Sequence, residues 1–167
     1  GSSSGSGAAL ASGMVPAALG TDTGGSVRNP ASNCGIVGMK ATYGRVSRRG
    51  VFPLSFTLDH VGPMTRTVED NAMLLGILAG HDSSDPGSAD VAVPDYTASL
   101  RDGVKGLRIG VIRHFYNRDL IADSEMGDGI EAALETLARM GATIQDVEIA
   151  PLADYAAVNR VILLPEA

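Results

Sequence analysis

The sequence predicts an α/β protein, and three features of its second half support this class. An apolar run over residues 107–112 reads LRIGVI and predicts a strand, buried on both faces because it is nearly continuous. Apolar residues then recur at helical spacing over about 124–140, between Asp123 and Gly141, and a weakly alternating strand follows over 142–149. Strand, helix and strand in this order are typical of a βαβ unit with two parallel strands.

The first part of the chain predicts shorter elements separated by glycines. Residues 1–7 read GSSSGSG, a composition that is typical of a linker or a tag. In chain order, we expect a short helix over 8–12, an extended segment over 16–19, a glycine-rich turn over 20–26, a helical turn over 28–34, a strand over 36–40 and a loop over 42–58.

Helix-capping signals mark the element that follows. Thr67, with Asp70 three residues later, predicts a helix that runs to about Ala79. A polar loop at the surface is expected over 81–94, and a last helix over 152–164.

Composition and charge limit the class of protein. The chain has 167 residues, of which 44% are hydrophobic and 19% charged, the balance of a globular domain and not of a disordered segment. Its net charge of −6 disfavours a broad nucleic-acid-binding surface, because an acidic surface repels phosphate. A single cysteine, Cys34, excludes disulfides within the chain, and no apolar run approaches the roughly 20 residues that span a bilayer. We therefore expect a cytoplasmic protein.

The run Gly24-Gly25-Ser26 is the strongest candidate for chemistry. Two glycines before a serine allow backbone angles closed to other residues and let a substrate approach the main chain. Consecutive N–H groups in such a turn can converge on an oxyanion, and a serine hydroxyl beside them can attack a carbonyl carbon. The hydroxyl needs a base, since it is a weak nucleophile near neutral pH. On these residues alone, a structural Gly-Gly-Ser turn is the simpler interpretation.

Other residue types that could carry chemistry give weaker signals. The chain has three histidines, His60, His81 and His114. Each is more consistent with a solvated or structural role than with a catalytic base. The residues around Ser26 do not form the G-x-S-x-G motif, and no comparable turn adjoins Cys34. The aspartates of the 81–94 loop lack metal-ligand spacing, so we expect them at the surface.

Three runs in the first 45 residues are together similar to the amidase signature. They read GSSSGSGAALASG over 1–13, GTDTGGSVRNPA over 20–31 and CGIVGMKATYGR over 34–45, and a later run, LDHVGPMTRTVED over 58–70, is also similar. Because separate motifs agree in order and spacing, the chain resembles the amidase-signature family. The resemblance implies an α/β/α fold with a twisted, mixed central sheet, of which this chain supplies a part.

The resemblance also implies roles for individual residues. In this family the catalytic triad is a serine nucleophile, a second serine in a cis peptide and a lysine. By motif, Ser26 matches the nucleophile, and Ser2 matches the cis-serine that relays its proton. Asp22 and Arg28 match polar residues that brace the nucleophile loop by hydrogen bonds. The implied oxyanion hole consists of the backbone N–H groups of Thr23, Gly24, Gly25 and Ser26.

The chain departs from the family pattern at the catalytic lysine. The family lysine lies upstream of the cis-serine, and this sequence begins one residue before Ser2. The two lysines present, Lys40 and Lys105, match no catalytic position, and neither is assigned as the base. We therefore expect an internal part of one longer amidase domain, inactive by itself. Its expected parts are a signature core over 1–45, loops and a helix over 46–106 and a βαβ extension over 107–167.

Three functions remain open at this point. The resemblance implies hydrolysis of a carboxamide C–N bond through an acyl-enzyme, with no metal and no organic cofactor. The first alternative is an amidase that acts alone on a small amide. The second is the glutaminase component of a glutamyl-tRNA amidotransferase, which frees ammonia from glutamine for a partner protein. The third is a non-catalytic binding or scaffold protein. We expect no membrane partner, and we expect direct contact with nucleic acid only under the second alternative. A homodimer is a further option.

Overall fold

A three-stranded antiparallel sheet organises the part of the chain that carries the serine-rich and glycine-rich motifs. The computed structural model describes residues 1–167, which form a first unit of residues 1–100 and 163–167 and a second unit of residues 101–162. In the first unit the strands lie in the order β1-β3-β2. Their bounds are Ala17–Asp22 for β1, Val37–Gly38 for β2 and His60–Thr65 for β3.

Three helices pack around this sheet. They are α1 over Ser4–Ala11, α2 over Arg28–Cys34 and α3 over Val68–Leu78. The predicted helical turn over 28–34 and the predicted helix from Thr67 are confirmed, and the Thr67 side chain caps α3 by accepting a hydrogen bond from Asp70 N–H. Helix α1 begins four residues earlier than predicted, inside the run with linker-like composition.

Two small clusters form the core of the first unit. The first contains Leu10, Val27, Ala31 and Met64, from α1, the approach to α2, α2 and β3. The second contains Ala41, Val46, Val61 and Leu75. Because β3 contributes to both clusters, the sheet connects the helices that flank the Ser26 loop with α3.

The second unit contains the predicted βαβ arrangement. Strand β4 (Arg108–Val111) pairs in parallel with β5 (Thr143–Asp146), and α4 (Ser124–Arg139) connects them. The predicted α/β class is confirmed, since helices accompany both antiparallel and parallel strand pairs. Helix α5 follows over Leu152–Glu166.

Two predictions about burial are wrong. In β4 only Val111 is buried, and Leu107 just before it is 53% exposed, because no helix packs closely on β4 to cover its faces. In the polar 81–94 loop, Asp85 is buried, because its carboxylate accepts hydrogen bonds from the backbone N–H groups of Arg48 and Gly87. None of the helices is both long and apolar enough to cross a membrane.

Candidate functional site around Ser26

Ser26 lies in the short connection between the end of β1 and the start of α2. Asp22 is the last residue of β1, and Arg28 is the first residue of α2. Residues 23–27 lie between them, and we call the first four of these, residues 23–26, the serine loop. Gly25 has φ of 119°, a backbone conformation that a side chain would strain, and no atom lies within 4 Å of where its Cβ would be. The loop is therefore open above Gly25.

Asp22 holds the serine loop in place through hydrogen bonds to its backbone. Its side chain is fully buried and accepts hydrogen bonds from Gly25 N–H at 2.7 Å, Val27 N–H at 3.2 Å and Arg28 N–H at 3.3 Å. The Arg28 guanidinium donates two further hydrogen bonds, from Nε at 3.0 Å and Nη2 at 2.9 Å. Asp22 therefore joins the serine loop to the first residue of α2 through these hydrogen bonds.

The environment of Asp22 favours its ionised form. Burial raises the pKa of this carboxyl, but the hydrogen bonds from the Arg28 side chain and from the Gly25 and Arg28 N–H groups outweigh burial. The pKa consequently lies at about 2, below its ordinary value of 3.8. Asp22 is thus a fixed negative charge at neutral pH and serves as an anchor, because every donor around it stabilises the carboxylate.

The backbone N–H groups of the serine loop are not all free. The N–H group of Gly25 donates its hydrogen bond to Asp22 Oδ1, so it cannot also hold an oxyanion. The prediction that Gly25 contributes to the oxyanion hole is corrected accordingly. The N–H groups of Thr23, Gly24 and Ser26 make no hydrogen bond within the chain. Three of the four predicted donors are therefore not used by hydrogen bonds within the chain.

The first residues of the chain pack directly on the serine loop. A Cβ atom built on Gly1 would lie 2.7 Å from Ser26 Cα and 3.2 Å from Ser26 O, which shows how closely the two backbones approach. Ser3 fixes this contact to β1, since its hydroxyl accepts a hydrogen bond from Thr21 N–H at 3.1 Å and donates to Thr21 O at 3.3 Å. Ser2 lies between these two anchored residues.

The structure brings the segments of Ser2 and Ser26 together, but no hydrogen bond joins their hydroxyls. Every peptide bond in the chain is trans, so the cis peptide predicted at Ser2 is absent and that prediction is wrong for this structure. A cis peptide before a residue other than proline is about 3 kcal/mol less favourable than trans and needs enclosing contacts to persist. Ser2 is exposed and has no such enclosure here.

Sequence reasoning missed Asp59, which lies 36 positions from the serine loop but touches it. Thr23 Oγ1 donates a hydrogen bond to Asp59 Oδ1 at 2.5 Å. The second oxygen of Asp59 accepts from Leu54 N–H at 2.8 Å and Ser55 N–H at 3.0 Å. Asp59 belongs to the 58–70 run that resembles the family. The motif therefore drew attention to this segment but did not indicate that Asp59 contacts Thr23.

Lys40 has two hydrogen-bonding partners outside the serine loop. Its Nζ lies 3.3 Å from His60 Nε2 and donates to Ala41 O at 3.3 Å. His60 Nδ1 lies 2.6 Å from Leu58 O, and a carbonyl can only accept, so this nitrogen carries the proton and Nε2 accepts from Lys40. The Lys40 side chain is therefore held by contacts with His60 and Ala41.

A cavity of about 240 Å³ is lined in part by Asp59 and His60. Its other lining residues are Thr21, Arg48, Arg49, Val51, Pro53, Phe56, Val61, Ser84, Asp85 and Pro86. Ser26 is not among them. The cavity and the serine loop therefore adjoin through the Thr23–Asp59 hydrogen bond, without sharing the serine itself.

The chain is similar to known proteins along its whole length. A family model described as Amidase matches residues 1–167. The A subunit of the glutamyl-tRNA(Gln) amidotransferase of Coxiella burnetii is 47% identical over 165 residues, which cover 99% of this chain and 34% of that protein. The protein of the same name from Trichlorobacter lovleyi is 51% identical over 156 residues, covering 93% and 32%. The chain thus spans about a third of the length of these curated relatives.

Solved structures share the fold. A crystal structure of the glutamyl-tRNA(Gln) amidotransferase A subunit from Thermotoga maritima aligns with a TM-score of 0.93 at 40% identity, covering 100% of this chain and 36% of that one. The native peptide amidase from Stenotrophomonas maltophilia aligns with a TM-score of 0.86 at 38% identity, covering 99% and 34%.

Proposed function

Since the chain belongs to the amidase family, we propose that it carries the acylating serine and the carbonyl-binding loop of an enzyme that hydrolyses carboxamide C–N bonds. The observation that carries this proposal is the packing of Gly1 on Ser26, with a distance of only 2.7 Å from the Gly1 Cβ position to Ser26 Cα. It brings Ser2, the next residue, to the serine loop, although the two serines are distant in sequence. A linker or tag at residues 1–7 would have no reason to pack there.

In the proposed reaction, Ser26 Oγ attacks the carbonyl carbon of the amide and passes its proton to the Ser2 hydroxyl. A hydroxyl both accepts and donates a hydrogen bond, so Ser2 can relay the proton to a base. By family resemblance that base is a lysine, and the contacts of Lys40 with His60 and Ala41 argue against assigning it this role. The relay returns the proton to the nitrogen as the C–N bond breaks, and water then hydrolyses the ester on Ser26.

The free N–H groups of Thr23, Gly24 and Ser26 would stabilise the oxyanion that forms during this attack. Such donors act most strongly when they are fixed before the reaction, because no energy is then needed to orient them. Asp22 supplies this rigidity through its hydrogen bonds to the backbone at Gly25, Val27 and Arg28. The bracing explains why a buried charge lies beside a loop of small residues.

One observation favours a more specific second candidate. Curated relatives at 47–51% identity carry the name of the A subunit of glutamyl-tRNA(Gln) amidotransferase. The full-length protein would then use glutamine as its amide and deliver ammonia to a partner protein. An amidase that acts alone would hydrolyse a small amide at full rate without any partner. Rates with glutamine, measured with and without the partner protein, separate the two. In either case we propose a small-molecule amide as substrate and the cytoplasm as location.

The test uses the full-length protein that contains this chain. Ser26→Ala should lower amide hydrolysis by at least about 10⁴-fold and abolish acyl transfer to hydroxylamine, because no ester can form. Ser2→Ala should slow turnover by about 10²- to 10⁴-fold without unfolding the protein. Ser12→Ala is the matched control, since Ser12 Oγ bonds only to helix carbonyls of α1. Acyl transfer that survives in Ser26→Ala would show that Ser26 is misassigned.

A further inference from the structure

Thr23 and Asp59 make the one side-chain contact that holds the leading end of the serine loop. Asp22 anchors the loop at Gly25 and beyond, but none of its hydrogen bonds reaches Thr23. The Thr23 side chain is held instead by Asp59 Oδ1 at 2.5 Å. The two ends of the loop are therefore fixed by two different carboxylates, one from β1 and one just before β3.

Asp59 is itself held rigidly. It is 7% exposed, and its Oδ2 accepts the N–H groups of Leu54 and Ser55. Ser55 is fully buried, and its hydroxyl donates to the carboxylate of Glu166 near the end of α5. The Thr23 hydroxyl thus bonds to a group whose own position is fixed by the backbone and by a contact with a distant part of the first unit.

We infer that Asp59 is a positioning residue that sets the orientation of the Thr23 backbone, and through it the Thr23 N–H group that faces the oxyanion. This inference rests on the proposed function, in which that N–H group is one of three free donors. Asp59 is buried, and the one hydrogen bond that it makes with the serine loop is the one from Thr23 Oγ1. Its effect on the reaction therefore passes through Thr23.

The geometry explains why a short loop needs this second anchor. Gly24 and Gly25 add conformational freedom, so a bond at Gly25 alone leaves the peptide at Thr23 able to rotate. An oxyanion donor must lie within a few tenths of an ångström of its productive position to stabilise the transition state. A hydrogen bond from Thr23 to a buried carboxylate restricts that rotation at the first residue after β1.

The test compares three single variants of the full-length protein. Thr23→Val removes the hydroxyl at nearly constant volume, whereas Thr23→Ser keeps it. Asp59→Asn keeps an oxygen for the N–H groups of Leu54 and Ser55 but replaces the acceptor that faces Thr23. We expect Thr23→Val and Asp59→Asn to lower kcat about 10- to 100-fold with KM changed less than about 3-fold, and Thr23→Ser to retain at least about a third of kcat.

The double variant gives the sharper result. If Asp59 acts through Thr23, then Asp59→Asn should lower kcat little further in a protein that already carries Thr23→Val. Losses that multiply, a KM effect in place of a kcat effect, or a Thr23→Val enzyme as fast as Thr23→Ser would overturn the inference. If Asp59→Asn fails to fold, the pair Thr23→Val and Thr23→Ser still decides, because both leave Asp59 and its backbone contacts intact.

Failure of the inference and failure of the proposed function have different signatures. If the wild-type protein shows no Ser26-dependent acyl transfer, both the inference and the proposed function are overturned. A wild-type protein that shows this acyl transfer, with Thr23→Val unimpaired in kcat, would overturn only the role of Asp59. Thermal unfolding of each variant must accompany the kinetics, since a merely structural role predicts a lower Tm with unchanged kcat in the folded fraction.

Discussion

Gly1 and Ser26 are in backbone contact, although they lie 25 positions apart in sequence. A Cβ atom on Gly1 would lie 2.7 Å from Ser26 Cα, which is closer than real Cβ contacts occur. It would also lie 3.0 Å from Pro30 Cδ, at the lower limit of such contacts. The close packing against Ser26 therefore requires glycine, which has no side chain, at position 1. This dependence gives the first prediction.

Gly1→Ala in the full-length protein should lower kcat/KM by at least about 10²-fold, because either Ser26 or the segment that carries Ser2 must move. The control is Gly5→Ala in α1, where no atom lies within 4 Å of the Cβ position. Gly5→Ala should leave the rate within about 2-fold and add helix stability of about 0.5–1 kcal/mol. Steady-state kinetics on both variants decide the matter, and equal rates would mean that the contact has no bearing on catalysis.

Short-range signals predicted several elements well. Helix α2 runs from Arg28 to Cys34 as expected, and the Thr67 cap of α3 is confirmed, because capping and spacing act within one or two turns. Strand β3 was not predicted. It contains Gly62 and Pro63, which weaken a strand signal, and it lies between β1 and β2. Its formation is decided by pairing with distant segments, which no local pattern reveals.

The same division applies to the site. The motif indicated that Asp22 and Arg28 lie beside the Ser26 loop, since all three residues lie within seven positions, and the hydrogen bonds between Asp22 and Arg28 are observed. The Thr23–Asp59 bond joins residues 36 positions apart and could not be derived from spacing. The use of Gly25 N–H by Asp22 was also hidden, because a sequence does not say which of several adjacent donors turns inward.

The stability of the fold should depend on pH through Asp22. Its pKa of about 2 is lower than its ordinary value of 3.8, so the ionised carboxylate stabilises the folded state. That contribution, about 2 kcal/mol, is complete above about pH 5 and is lost as pH falls through the folded pKa toward 2. Asp22→Asn lacks this contribution at every pH.

The measurement is the free energy of unfolding of the wild type and of Asp22→Asn by urea denaturation between pH 7 and pH 2. The difference between the two proteins should be largest at neutral pH and should shrink by about 2 kcal/mol toward pH 2. Comparing the two removes the contributions of the other carboxylates, which both proteins share. A difference that stays constant across this range would contradict a specific role of the Asp22 charge.

The close approach of two backbones at Gly62 makes a prediction for the sheet itself. A Cβ atom there would clash with Met39 O, and Met39 cannot retreat freely because its N–H donates to Pro63 O at 3.1 Å. Gly62→Ala should therefore lower the free energy of unfolding by at least about 2 kcal/mol. Gly76→Ala in α3 is the matched control, since its Cβ would meet only Tyr96 at 4.0 Å, and it should stabilise by about 0.5–1 kcal/mol. If urea denaturation shows Gly62→Ala to be as stable as the control or more stable, the backbones at Gly62 and Met39 do not approach as closely as the structure indicates.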